Sequence, residues 1–180
     1  MVLPDCTIII PTRNRGTDLK TTLDRLCDEG LAETPVVIVD DASDDPSATH
    51  AAATGLTRVQ FIDQARRTGQ AGARNAGLEA VDTALCLFLD DDAHLETADP
   101  LLDFLSAPMD PDVAVWRFET VRECDGYRDG IPAAMPPTRL HTFIGFGVLM
   151  RRERVMNVGG YRGWAPKSAL WGVGADEILE

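Results

Sequence analysis

The chain has 180 residues, 44% of them hydrophobic, with a formal net charge of -12. Those figures suit one globular domain with a sizeable core. The acidic balance disfavours nonspecific binding to nucleic acid or an anionic membrane, yet leaves room for an anionic ligand met by a metal ion or a few local arginines. No apolar stretch approaches the roughly 20 residues of a membrane span. The N-terminus MVLPDCTIII lacks the basic-then-apolar layout of a secretion signal. Cys6, Cys27, Cys86 and Cys124 are scattered and form no CxxC pair, so a reduced, cytoplasmic protein is expected.

In chain order, residues 6–10 form a short run rich in isoleucine, closed by Pro11, which reads as a first buried strand. The polar loop TRNRG follows. Leu19, Leu23, Leu26 and Cys27 recur at helical spacing over 17–29, with Gly30 as a natural stop. A second apolar run, 35–39, ends at Asp40 and Asp41. An alanine-rich helix over 47–55 and a short strand over 58–62 come next. The stretch RRTGQAGARNAGLEAV (66–81) reads as a glycine loop leading into a helix. Its Ala73, Ala76, Gly77 and Ala80 permit close backbone approach.

Residues 85–89 (LCLFL) are five apolar residues in succession, the pattern of a strand buried on both faces. This strand stops abruptly at Asp90, Asp91 and Asp92. Beyond it lie a short helix over 100–105, a strand over 113–121, a long loop over 123–139, a strand over 142–150 and a helix over 151–158 ended by Gly159 and Gly160. Strands alternating with helices indicate a mostly parallel sheet with right-handed crossovers. Both acidic stops then fall on the edge where such sheets bind ligands. Crowded carboxylates repel and resist burial unless something positive sits among them. A divalent cation carrying a phosphorylated ligand satisfies that need; an acidic turn or helix N-cap is the plainer alternative.

PTRNR near the N-terminus, VIVDDAS (37–43), GARNAGL (72–78), FLDDDAH (88–94), VMNVGGYR (155–162) and WGVGADEIL (171–179) occur in this order. Together they resemble the successive signatures of family 2 glycosyltransferases. The resemblance implies the GT-A fold, a Rossmann-like, mostly parallel α/β sheet flanked by helices. Residues 1–98 would be its nucleotide-sugar-binding half and 99–180 the smaller acceptor-side half. The long loop would then cover the acceptor.

The implied partners are a nucleotide-diphosphate sugar, with a UDP- or dTDP-sugar favoured, and a carbohydrate or other hydroxyl-bearing acceptor. Transfer would be inverting and assisted by Mn²⁺ or Mg²⁺. By position, Pro11, Thr12 and Asn14 would line the base pocket, and Asp41 would accept a hydrogen bond from the base. Arg13 stands where the family often has an aromatic residue. Arg74 would lie near the base or phosphates, or else pair with the acidic strand ends. Asp90 and Asp92 have DxD spacing; Asp91 falls where related enzymes touch the ribose, and Asp92 where they hold the metal.

Asp176, with Glu177 as the alternative, would be the general base, although the family commonly shows the pair in the opposite order. Related enzymes usually continue past this point. A noncatalytic nucleotide-sugar-binding module, or an inactive fragment of a longer transferase, is therefore the competing expectation. A nucleotidyltransferase is a more distant one, since PTRNRG lacks a basic, glycine-rich grip for a triphosphate.

Overall fold

The computed structural model describes residues 1–121, 126, 128–129, 147–163 and 176–178. Strand β1 (Cys6–Thr12) is buried along its whole length and lies inside a six-stranded sheet. On one side of it come β2 (Val36–Asp40) and β3 (Val59–Asp63), on the other β4 (Leu85–Phe88), all parallel. The sheet is completed beyond β4 by β8 (Val148–Arg151) and then β5 (Val115–Arg117), both pairings antiparallel. The architecture is therefore the expected α/β sheet, parallel in its first four strands and mixed at one edge. Two small ribbons stand apart from it: β6 (Thr120–Val121) with β7 (Arg128–Asp129), and β9 (Tyr161–Gly163) with β10 (Asp176–Ile178).

Alternate residues of each central strand serve opposite faces. Ile8, Ile10, Ile38, Leu85 and Leu87 pack with helices α1 (Gly16–Asp28) and α4 (Asp99–Ser106) through Leu19, Leu23, Leu26, Leu101 and Leu105. Ile9, Val37, Val39, Cys86 and Phe88 pack on the other face with α3 (Gly69–Ala80) and α5 (Arg152–Asn157). The sheet is thus covered on both sides, which is why its strands are continuously apolar. Burial pushes the Cys86 thiol up to about 12; Cys6 and Cys86 are free, buried thiols in the core. Among the described residues no helix is long and apolar enough to cross a membrane.

Most boundaries differ from the sequence expectation by a residue, and three of the differences have a clear physical reason. β1 does not end at Pro11 but continues to Thr12. Ile8 N–H bonds toward β2 and the Ile9 carbonyl accepts from Leu89 N–H. Pro11 therefore faces the β4 side, beyond Phe88 where that strand has ended, and its missing N–H breaks no ladder bond. Helix α2 (Pro46–Ala52) begins one residue earlier and ends sooner than 47–55. Asp45 caps it by accepting from Ser47 N–H at 3.0 Å, with Pro46 in the first turn. The single strand expected over 113–121 is two, because β5 pairs with β8 and β6 with β7. Most of the expected loop at 123–139 and residues 142–146 of the expected strand lie outside the described residues.

The small residues of α3 act as expected. A Cβ on Gly77 would stand 2.4 Å from Ile9 Cγ2, so the helix sits on β1 closer than any side chain allows. Gly77→Ala is expected to destabilise the protein by about 1–3 kcal/mol through overpacking, read as a lowered urea midpoint. An unchanged midpoint would mean that α3 can lift from the sheet at no cost.

Candidate functional site at the carboxyl ends of the strands

Register brings the acidic strand ends together. Thr12 pairs with Asp40 across β1 and β2, and Asp41 N–H donates to the Thr12 carbonyl at 2.9 Å. On its other side the Thr12 hydroxyl donates to Asp91 Oδ2 at 2.7 Å. Thr12 is thus the link between the two acidic stops, both on one edge of the sheet.

The three consecutive aspartates have three different fates. Asp90 accepts from Nη2 of Arg74 at 3.0 Å, and the Arg74 side chain is only 1% exposed. That guanidinium also lies over the Tyr161 ring, 5.6 Å from its centroid. Burial raises the Asp90 pKa, and Arg74 opposes the rise. Asp91 is buried; it accepts from Thr12 and, at 2.9 Å, from Arg15 Nη1. Its carbonyl accepts from the Thr22 hydroxyl of α1 at 2.9 Å. Burial pushes the Asp91 carboxyl up to about 6, with the Thr12 hydroxyl and Arg15 pulling it back. Asp92 is the open member: its side chain is 51% exposed and meets Arg15 Nη2 at 2.7 Å.

Asp41 is equally committed. Its carboxylate accepts from the backbone N–H groups of Thr68 and Gly69, at the start of α3, and from the Thr68 hydroxyl. Oδ2 carries one of these bonds, at 2.9 Å from Gly69, and keeps capacity for a further donor. Asp40 positions its own loop, accepting from Ser43 N–H and from the Thr49 hydroxyl. Asn14, in the left-handed region at φ 56°, exchanges two hydrogen bonds with Asp44 and donates its own N–H to the Ser43 hydroxyl oxygen. It therefore ties the loop after β1 to the loop after β2. Pro11 is buried.

Two residues of the site escaped sequence reasoning. Arg15 belongs to the PTRNR stretch, but nothing local announces that its guanidinium spans Asp91 and Asp92. Asn75 lies next to Arg74 and exchanges two 2.7 Å hydrogen bonds with the Tyr161 backbone. A Cβ on the preceding Gly160, whose φ is +72°, would come within 2.5 Å of Asn75 Oδ1. These contacts fasten β9 to α3, and β9 pairs with β10, placing Asp176 opposite Gly163 and Glu177 opposite Arg162. The side chains of Asp176 and Glu177 lie outside the described ones.

The donor chemistry suits a hard divalent cation, since the open group is a carboxylate. Among the described residues no cluster of three or more His, Cys, Asp or Glu side chains stands ready to hold a metal ion. A cation here would draw most of its ligands from phosphate and water, as Mg²⁺ does when bound by one or two carboxylates.

Glycosyl transferase family 2 matches the chain over residues 7–159. The chain belongs to this family. Among solved structures it is similar to the mannosyltransferase PcManGT from Pyrobaculum calidifontis in complex with GDP-Man and Mn²⁺. That similarity has a TM-score of 0.67 at 23% identity and covers 96% of this chain and 50% of that one. It is also similar to S. aureus TarS 1–349, with a TM-score of 0.62 at 17% identity, over 94% of this chain and 52% of that one. The same TarS segment in complex with UDP-GlcNAc matches with a TM-score of 0.57 at 15% identity, over 84% and 46% of the two chains. The fold is the GT-A fold of these enzymes. The chain spans about half the length of the solved structures it matches. No curated protein sequence matches it.

Proposed function

We propose that this family 2 domain transfers a sugar from a nucleotide-diphosphate sugar, with UDP- or dTDP-sugars favoured, to an acceptor hydroxyl with inversion. The observation that carries the reading is the division of labour at the acidic strand end. Asp90 and Asp91 are held inside by Arg74, Thr12 and Arg15, while Asp92 is presented to solvent. The base would lie against the loop of Pro11, Thr12 and Asn14, with its imide N–H donating to the spare acceptor position of Asp41. Asp91 retains one acceptor site on each oxygen, enough for a ribose hydroxyl. Asp92, with Asp90 as a second carboxylate, would hold a divalent cation that neutralises charge on the departing diphosphate. Asp176, or Glu177 in its place, would take the proton of the acceptor hydroxyl as its oxygen attacks the anomeric carbon from the face opposite the diphosphate. The Mn²⁺ and GDP-Man named for PcManGT and the UDP-GlcNAc named for TarS support a cation and a nucleotide sugar as ligands of this domain.

Calorimetric titration of UDP, dTDP and GDP, with and without Mn²⁺, tests the donor site. One nucleotide is expected to bind in a Mn²⁺-dependent way, and Asp92→Ala to weaken it about 10–100-fold. Binding of no nucleotide to the wild type under any condition would overturn the donor assignment. A module that binds the nucleotide sugar without transferring it would bind normally and release no nucleoside diphosphate in the presence of acceptor.

A further inference from the structure

We propose that Arg15 is a positioning residue that exchanges partners when the donor arrives. In the structure it bonds both Asp91 and Asp92. It then keeps Asp91, releases Asp92 to the cation and turns the freed Nη2 toward the diphosphate. This rests on the donor site proposed above.

One guanidinium serves three carboxylates. Nε donates to Asp18 Oδ2 at 3.0 Å, Nη1 to Asp91 Oδ1 at 2.9 Å and Nη2 to Asp92 Oδ2 at 2.7 Å. The three limbs differ in solvent access: the side chains of Asp18 and Asp92 are each 51% exposed, that of Asp91 only 7%. Charge pairs in water are cheap to exchange, whereas a buried one is costly to break. The Asp91 limb is therefore the anchor and the Asp92 limb the exchangeable one. The backbone does not have to move, because the Arg15 carbonyl accepts Leu19 N–H at 2.9 Å and is fixed at the start of α1.

Arg15 stays charged at any ordinary pH. A divalent cation on Asp92 and a guanidinium on the same carboxylate repel one another, so the two compete for it. A diphosphate removes the conflict by offering Nη2 new anionic oxygens in fork geometry. Arg15 should accordingly oppose the bare cation and favour the nucleotide. A residue that merely braced the loop would, on removal, weaken both.

The test compares wild type with Arg15→Gln, and with Arg15→Lys, which keeps the charge but cannot span two carboxylates. Mn²⁺ alone is titrated by loss of the free-ion electron paramagnetic resonance signal. UDP, dTDP and GDP are then titrated by calorimetry at saturating Mn²⁺. Arg15→Gln is expected to bind Mn²⁺ alone about tenfold more tightly than wild type, and the preferred nucleotide about tenfold more weakly, one charge-assisted hydrogen bond moved in each case. Arg15→Lys should shift both in the same directions by less, and it carries the test if the glutamine variant does not fold. Mn²⁺ affinity that is unchanged or reduced in both variants would overturn the exchange. Wild type that binds no nucleotide would instead refute the donor site, while the Mn²⁺ titration still decides the competition at Asp92.

Discussion

Asp176→Asn is expected to slow glycosyl transfer by about 10²–10⁴-fold, the usual cost of losing a general base, while nucleotide affinity stays within about threefold. The expectation follows from how β10 is attached. Asn75 on α3 grips the Tyr161 backbone through two 2.7 Å hydrogen bonds, and the strand beginning at Tyr161 pairs with Asp176–Ile178. The neighbouring Arg74 grips Asp90 from the same helix. One helix thus supports both the acidic strand end and the ribbon carrying the two candidate bases. A single carboxylate suffices for one proton transfer, so Glu177→Gln should cost less than about tenfold. Initial rates of nucleoside diphosphate release, with Kd measured in parallel, separate the two. A larger loss in Glu177→Gln would move the base by one residue. Activity that survives both changes would remove this ribbon from the chemistry.

Arg74→Met is expected to lower stability by about 3 kcal/mol, a larger effect than most single substitutions produce. Arg74 is among the most completely buried large side chains, and its Nη2 meets a carboxylate that is itself only 21% exposed. Removing the cation leaves Asp90 desolvated beside Asp91 and Asp92, where burial and then the charge of Asp92 already raise its pKa. Methionine fills similar volume, so the loss reports charge rather than a cavity. Adding Asp90→Asn to Arg74→Met should recover a substantial part of the deficit, because the buried Asp90 carboxylate is then neutral as well. Urea unfolding of the single and double variants measures this. A single variant within about 1 kcal/mol of wild type would show that Asp90 finds other compensation.

The apolar runs at 6–10, 35–39 and 85–89 and the acidic residues that end two of them were legible without coordinates. Each depends on local pattern alone: continuous burial demands continuous apolar residues, and a strand stops where charge begins. The small-residue face of α3 was legible for the same reason, and Gly77 against Ile9 bears it out. The end of β1 was not, because whether Pro11 breaks a ladder depends on where β4 stops, seventy-odd residues away. The division of 113–121 into β5 and β6 likewise depends on which strand each half finds as its partner.

For the site, the sequence by itself determined that three carboxylates crowd the end of a buried strand and that a second acidic stop shares their edge. Only the tertiary structure decided which carboxylate is open. Thr12 and Arg15 reach Asp91 across 79 and 76 residues of chain, and Arg15 reaches Asp92 across 77. Arg74 reaches Asp90 across the rest of α3, a turn and β4. Identical side chains in adjacent positions have no local property that distinguishes them; their solvation and partners do, and those are set by whatever the fold brings against each one.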